Sequence, residues 1–250
     1  MKISKEVILQ GLKQSFCIPI IYIKHKFRLP TNKQFTEIEY TLPFDGEWTV
    51  VNGGVEKEYS HSWGVPTQRY AYDFLIMDDS GATYEGENLA DIKAYRCYGN
   101  DVLAPADGVV VEIGNSCEDS KIMLPDNMEA TAKDIRGNYI LIKHFEKEYG
   151  FIGHLKPNSI CVKAGEKVKA GQVIAKCGNT GNSSEPHIHF HIQDGINFFT
   201  SAGVPIRFKN ICVSAQKGYN NYDKRQIADV FVKEKQTQIN RGQKVKNGVS

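Results

Sequence analysis

The stretch Pro186–Gln193, with the sequence PHIHFHIQ, alternates histidine with isoleucine or phenylalanine and predicts a β-strand. Successive side chains of a strand point to opposite faces, so the three histidines share one face and the three apolar residues share the other. We expect the apolar face to join a core and the histidine face to carry chemistry. Same-face neighbours lie about 6.6 Å apart along a strand. This spacing predicts that adjacent histidine rings do not touch, and that one binds a metal while the next reaches the metal's water.

Other short apolar runs between residues 48 and 208 are separated by turn residues, which is typical of a sheet-rich domain. The insertion Cys117–Arg136 interrupts this rhythm and predicts a surface excursion that lengthens a hairpin. We therefore predict an all-β fold, a compact antiparallel β-sheet or sandwich domain with short N- and C-terminal extensions. The clearest further strand candidates are Gly108–Ile113, Asn138–His144 and Gln172–Cys177.

Composition divides the chain into three parts. Residues 1–45 form a basic N-terminal segment that is expected to pack on the body, with a helix or strand over Val7–Ile23 and an edge strand over Phe35–Leu42. Residues 46–210 are predicted to form the β domain that would carry the activity. Residues 211–250 are predicted to be a basic C-terminal tail.

The charges are segregated although the formal net charge of the 250 residues is only +2. Residues 1–34 hold seven Lys or Arg against one Glu, and residues 216–250 hold eight against three acids, so the middle is acidic. Basic ends predict contact with an anionic wall or membrane surface. An acidic body repels phosphate, which argues against a nucleic-acid partner.

Targeting and redox signals in the sequence are weak. The apolar run Phe16–Ile23 is shorter than the roughly 20 residues that span a bilayer, and it lacks the cleavage pattern of a signal peptide. The six cysteines contain no C-x-x-C pair, so neither a cysteine zinc site nor a dithiol redox centre is predicted. These features leave the localisation open.

Two further residues are candidates for a metal site. Asp73 ends QRYAYD and precedes the apolar residues FLI, where a buried carboxylate is costly unless it is paired or bound to metal. His154 lies between apolar neighbours in FIGHL. Taken alone, Asp73 could cap a turn and His154 could be a core histidine. Catalytic zinc usually takes three protein ligands and leaves one position for water.

An ordered set of motifs resembles the lysostaphin/LytM-type zinc endopeptidases, many of which cleave peptidoglycan peptides. The resemblance implies that Asp73 and His189 are zinc ligands, that His154 and His187 act on the substrate, and that the protein works outside the cell or in its envelope. It covers about residues 50–208, and its motifs are Tyr72–Phe74, Leu103–Val110, Gly137–Ile142, Gly153–Leu155, Val168–Gly181 and Pro186–Phe190.

The chain departs from this family's pattern at two positions. Arg69 stands where the first zinc ligand, a histidine, is usual, and a guanidinium cannot donate a lone pair. We expect His61, in a loop with Gly and Pro upstream of Asp73, to replace it; the alternatives are Glu56, Glu58 or a site without zinc. His191 stands where the family commonly has an acid and is expected to lie beyond the zinc ligands.

The favoured hypothesis is a zinc metalloendopeptidase in which a zinc-activated water attacks a peptide bond, with a histidine pair as base and oxyanion stabiliser. Its predicted partner is a peptide or peptidoglycan substrate. One alternative is a non-hydrolytic family member that acts as a cell-wall or partner-binding scaffold. Another is a phosphocarrier with a histidine pair, against which Asp73 argues because an acid repels a phosphohistidine.

Overall fold

The structure, a computed structural model, describes residues 5–122, 132–227 and 236–248. The helices are α1 (Lys5–Lys24) and α2 (Tyr219–Tyr222), and short 3-10 turns span Lys57–Tyr59, Pro66–Gln68 and Ile92–Ala94. The strands are β1 (Trp48–Asn52), β2 (Tyr72–Leu75), β3 (Asp101–Leu103), β4 (Gly108–Gly114), β5 (Tyr139–Phe145), β6 (Glu148–Gly153), β7 (Lys167–Val168), β8 (Val173–Lys176), β9 (Ile188–Gln193), β10 (Gly203–Val204), β11 (Ile211–Ala215) and β12 (Gln243–Asn247).

Ten strands form one sheet in the order β11-β12-β1-β2-β9-β6-β5-β4-β7, with β10 paired to β9, while β3 and β8 form a separate pair. Every strand pairing is antiparallel. The prediction of an all-β, antiparallel fold is therefore confirmed. The four strands expected from apolar runs form as β4, β5, β8 and β9.

The alternation in β9 divides core from site as expected. Ile188, Phe190 and Ile192 are fully buried in the main hydrophobic cluster, which lies on one side of the sheet. The histidines of the same strand face the other side, next to a smaller cluster that contains Phe151 and Phe198. The core therefore fixes the strand that presents the histidines.

Some expectations about the ends of the chain need correction. Phe35–Leu42 is not a strand, because it meets residues 205–209 only through an isolated bridge from Tyr40 and a contact from Thr36. Within 211–250, β11 and β12 extend the sheet beyond β1, so this part is more than a tail. The division at residues 45 and 210 stays a prediction. The insertion Cys117–Arg136 lies partly outside the described residues.

The N-terminal segment forms α1, the helical one of the two alternatives. Within residues 5–122, 132–227 and 236–248, no helix has the length and hydropathy needed to cross a membrane.

Candidate active site

Four adjacent strands bring the candidate residues into one row. In the register of the sheet, Asp73 of β2 lies opposite Asn52 of β1 on one side and His189 of β9 on the other. His189 in turn lies opposite Gly153, the last residue of β6, and His154 follows directly. The row opens into a groove of about 330 Å³, and its lining includes His61, Asp73, His154, His187 and His189.

Asp73 is the centre of this cluster. Its Oδ1 lies 2.9 Å from His189 Nδ1 and 3.8 Å from His187 Nε2, and its Oδ2 lies 3.3 Å from His61 Nδ1. Asn52 Nδ2 also donates to Oδ2 at 3.0 Å. Burial alone would raise the pKa of Asp73, but the neighbouring imidazoles, His61 first, hold it well below its ordinary value. The carboxylate is therefore kept ionised.

The loop before β2 folds back and brings His61 to Asp73. Ser60 Oγ donates to the carbonyl oxygen of Arg69 at 2.9 Å, which closes the loop. The guanidinium of Arg69 lies over the ring of Trp63, 5.2 Å from its centroid, and donates to the Trp63 carbonyl oxygen. Arg69 therefore points away from the carboxylate, and His61 takes the place beside it.

A buried hydrogen-bond chain sets the protonation of the strand histidines. Gln193 Nε2 donates to the carbonyl oxygens of Gly195 and Ile196, at 2.6 and 3.2 Å, so its Oε1 faces His191 and must accept. His191 Nε2 therefore carries a proton and donates it to Gln193 Oε1. Burial lowers the pKa of His191 to about 3, which keeps the ring neutral. Its Nδ1 is then an acceptor, 2.9 Å from His189 Nε2, which must donate.

With its Nε2 donating, a neutral His189 ring has a lone pair on Nδ1, and this atom lies 2.9 Å from Asp73 Oδ1. Two acceptors 2.9 Å apart repel each other unless a proton or a metal cation lies between them. Two imidazole nitrogens and one carboxylate are a donor set that suits zinc. No group of three or more described His, Cys, Asp and Glu side chains is already arranged as a metal cage. By chemistry the residues fit zinc, and the contacts to Asp73 are close to the roughly 3.3 Å between ligands of a tetrahedral ion.

His154 and His187 present matching nitrogens to the groove. His154 Nδ1 lies 2.7 Å from the carbonyl oxygen of Thr180, and His187 Nδ1 lies 2.8 Å from that of Glu185. Since carbonyl oxygens only accept, each Nδ1 carries the proton and each Nε2 is left with a lone pair. The ring centroids are 4.6 Å apart. Burial, and then the nearby imidazoles, lower the pKa of His154 well below its ordinary value.

Two glycine turns place the acceptor of His154. A Cβ on Gly137 would lie 2.3 Å from the carbonyl oxygen of Thr180, and a Cβ on Gly181 would lie 2.3 Å from Gly137 N. Both glycines also have positive φ, which other residues adopt at a cost. The close approach explains why glycine stands in both motifs. His154 itself has φ of 59°, a left-handed conformation that is uncommon outside glycine.

One prediction about the histidine strand is wrong. The rings of His189 and His191 were expected to be too far apart to touch, but their nitrogens are 2.9 Å apart and their centroids 5.2 Å. Side chains of a strand lean along its direction, which shortens the distance between ring atoms relative to that between backbone positions. His191 is therefore a direct partner of His189.

The other glutamates and histidines considered as metal ligands do not line the groove. Glu56 and Glu58 are exposed, and Glu56 pairs with Asn32 at 2.9 Å. His25 Nε2 lies 2.8 Å from Asp194, and His144 contacts the carbonyl oxygen of Asp107.

Sequence reasoning missed several residues of the groove. Tyr222 donates to Glu185 at 2.9 Å, and both line the groove with Arg136. Burial raises the pKa of Glu185. Tyr222 comes from the part of the chain predicted to be a tail, and no local pattern indicates that it folds back. The acidic residue at 185, immediately before Pro186-His187, is the one available signal.

These strands and this cluster define an antiparallel β domain with an aspartate and several histidines in one groove, and comparison with known proteins shows which family it resembles. Residues 87–201 match the model described as peptidase family M23, a match that includes His154, His187 and His189. The match confirms the resemblance to lysostaphin/LytM-type peptidases for these residues.

Two curated relatives and one solved structure illustrate the similarity. The chain is 29% identical over 165 residues to the murein hydrolase activator NlpD of Escherichia coli K12, covering 66% of this chain and 38% of that protein. It is 28% identical over 168 residues to the glycyl-glycine endopeptidase ALE-1 of Staphylococcus capitis, covering 62% and 40%. A zinc containing peptidase from Vibrio cholerae aligns at 23% identity and a TM-score of 0.40, covering 67% and 39%. The chain thus spans about 38–40% of the length of these curated relatives.

Proposed function

We propose that the protein is a zinc-dependent endopeptidase that hydrolyses peptide bonds in bacterial peptidoglycan. The observation that carries this proposal is the contact of the Asp73 carboxylate with His61 and His189, beside a second pair of imidazoles in the same groove. In the neutral His189 ring, Nδ1 and the facing carboxylate oxygen of Asp73 are both acceptors, and a cation between them would remove their repulsion. The match of residues 87–201 to a peptidase family supports the reaction class.

In this proposal His61, Asp73 and His189 hold the metal, with two neutral imidazoles and one carboxylate. Bound zinc would supply Lewis acidity and make water nucleophilic near neutral pH. Asn52 donates to Asp73 and His191 accepts from His189, so both ligands are oriented from behind. His191 Nδ1 accepts the hydrogen bond from His189 Nε2, as the carboxylate of an acidic residue at position 191 would.

The histidine pair does the proton work. The Nε2 atoms of His154 and His187 carry lone pairs, so one can take the proton of the attacking water. An imidazole that is protonated can donate to the developing oxyanion or return its proton to the leaving amine. The carbonyl oxygens of Thr180 and Glu185 hold the two rings in the required tautomer and orientation.

Peptidoglycan peptide is the proposed substrate because curated relatives of the domain include proteins named as endopeptidases of glycyl-glycine bonds and of peptidoglycan. Such a substrate implies a location in the envelope or outside the cell. The phosphocarrier alternative is disfavoured, since Asp73 lies within 3.8 Å of three histidines and would repel a phosphoryl group on any of them.

The proposal is tested with the full chain purified, analysed for metal and incubated with purified peptidoglycan and a soluble cross-bridge peptide. We expect about one zinc per chain, release of new amino groups, loss of both after exhaustive chelation, and recovery on adding zinc. Full hydrolysis by the metal-free protein would contradict the metal mechanism.

A second candidate is a non-hydrolytic partner of a cell-wall enzyme, favoured by the similarity to a protein named as a murein hydrolase activator. The same assays separate the two functions. A chain that binds zinc, leaves every peptide intact and stimulates a separate murein hydrolase would support this candidate.

The replacement of the usual ligand by His61 gives a specific prediction. His61→Ala is expected to lower zinc occupancy about as much as His189→Ala, because each removes one of the three proposed donors. His25→Ala is the matched control, since His25 also contacts a carboxylate but lies outside the groove. Zinc occupancy is measured by atomic absorption. If His61→Ala retained the metal, the assignment of His61 as a ligand would be contradicted.

His191 is predicted to be a positioning residue. His191→Phe keeps a ring that can stack on Phe151, which is 5.0 Å away, but removes the acceptor for His189 Nε2. We expect zinc affinity to fall roughly 10- to 100-fold. His191→Asp restores an acceptor and should recover much of that affinity. Equal losses in both variants, measured by competition with a chelating dye, would mean that His191 is only a packing residue.

A further inference from the structure

The outward face of α1 carries an apolar surface with no partner among the described residues. Its side chains follow helical spacing along the solvent side, and each is between 49% and 75% exposed. We call this surface the apolar stripe; it consists of Ile8, Leu9, Leu12, Phe16, Ile20, Ile23 and, just after the helix, Phe27. Contiguous exposed apolar patches of this kind mark interaction sites.

The opposite face of α1 is already used to hold the helix on the body. Gln10 accepts from Ile135 N at 2.8 Å, and Cys17 packs on the cluster of Tyr139 and Phe151. Ile21 is buried against Leu29 and Ala202. The helix is therefore anchored by one side, and the apolar stripe faces away from the protein.

The charges around the apolar stripe are almost all positive. Lys5, Lys26 and Arg28 are exposed on α1 or just after it. Lys13 and Lys24 border the stripe on the side of the body, where Lys13 Nζ lies 4.1 Å from the ring centroid of Phe199 and Lys24 Nζ lies 3.8 Å from Asp194 Oδ1. Glu6 is the single acid between residues 1 and 34. Lysine and arginine stems can lie along an apolar surface while their charged ends reach outward. A helix with an apolar face bordered by cations is typical of segments that lie in the plane of an anionic lipid surface.

We propose that the apolar stripe of α1 docks the protein flat on an anionic lipid bilayer. Lipid acyl chains would cover the apolar side chains, and acidic headgroups would neutralise the flanking cations. Pairing of two copies through the same stripe would bring like charges together with only Glu6 to oppose them. A cell-wall polymer offers no apolar phase for seven exposed hydrophobic side chains.

Docking would also orient the groove. Gln14 lies on the inward side of α1 and lines the groove that holds Asp73. A 20-residue helix is about 30 Å long, so a bound α1 would hold one wall of the groove next to the bilayer. The proposed binding of the apolar stripe to lipid does not depend on whether the groove hydrolyses peptides.

The test is co-sedimentation of the full chain with vesicles of equal parts phosphatidylglycerol and phosphatidylcholine, compared with pure phosphatidylcholine. The combined variant Leu12→Ser, Phe16→Ser, Ile20→Ser is expected to lower the partition coefficient on anionic vesicles at least ~10-fold. The control Leu89→Ser, Phe145→Ser, Ile196→Ser removes exposed apolar side chains elsewhere and should bind as the unmodified protein does. Lys26→Gln with Arg28→Gln should weaken binding several-fold and reduce its salt dependence.

A second measurement guards against misfolding of the combined variant. The single variant Phe16→Trp should show a blue shift of tryptophan emission with anionic vesicles and none with phosphatidylcholine alone. Absence of vesicle binding by the unmodified protein, or equal binding by the stripe variant, would overturn the proposal. Sedimentation velocity without lipid would also overturn it if the protein formed a dimer that the stripe variant dissociates while vesicle binding is unchanged.

Discussion

Asp73→Asn is expected to abolish zinc binding and to reduce peptide hydrolysis by more than ~100-fold, beyond the 10- to 100-fold typical of residues behind a metal ligand. The amide has nearly the shape of the carboxylate, so packing against Asn52 is preserved. What is lost is the negative charge that faces His61, His187 and His189. Zinc content and hydrolysis of a soluble cross-bridge peptide are the measurements.

The matched control is Asp107→Asn, which removes a surface carboxylate paired with Lys169. That pair is exposed and contributes little, so zinc content and turnover should not change. If Asp73→Asn kept its zinc and its activity, the carboxylate would be a structural partner of the histidines and the proposed metal site would be wrong.

The strand periodicity was sufficient to predict the part of the fold that carries the site. PHIHFHIQ assigns a face to each residue of β9 because a strand has a fixed two-residue period, and the structure buries the isoleucines and Phe190 accordingly. Phe35–Leu42 has a similar alternation but does not pair regularly. Its outcome depends on residues 205–209, far away in sequence, which no local pattern specifies.

The candidate site was predictable where spacing limits the choice. Asp73, His154 and the alternating histidines stand in motifs, and the structure brings them together in one groove. His61 could be named only because few other histidines remained. Its contact with Asp73 depends on a loop closed by Ser60 and Arg69, a tertiary feature.

The polar chain behind the site could not be predicted. Gln193 lies at the end of β9, and its effect on His189 passes through His191 and depends on two carbonyl oxygens beyond the strand. Tyr222 reaches the groove from a helix of only four residues near the end of the chain. Both cases require the three-dimensional arrangement of segments that are distant in sequence.

His154→Asn and His187→Asn are each expected to retain zinc while losing turnover roughly 100- to 10,000-fold, the range typical of general acid–base groups. Asparagine keeps a donor for the carbonyl oxygens of Thr180 and Glu185 but has no basic nitrogen. It also tolerates the left-handed backbone of His154, where φ is 59°. The loss should fall on kcat more than on KM, because the proton moves only in the reaction itself.

The control His144→Asn replaces a half-buried histidine outside the groove, whose Nδ1 also contacts a carbonyl oxygen. It should retain both zinc and turnover, which separates catalysis from the general cost of removing an imidazole that holds a carbonyl oxygen. The comparison of His187→Asn with His189→Asn is the most discriminating test, because both histidines lie near Asp73 Oδ1. His187 Nε2 is 3.8 Å from this atom and His189 Nδ1 is 2.9 Å from it. If His187→Asn emptied the site and His189→Asn did not, the ligand and the proton carrier on β9 would have exchanged roles.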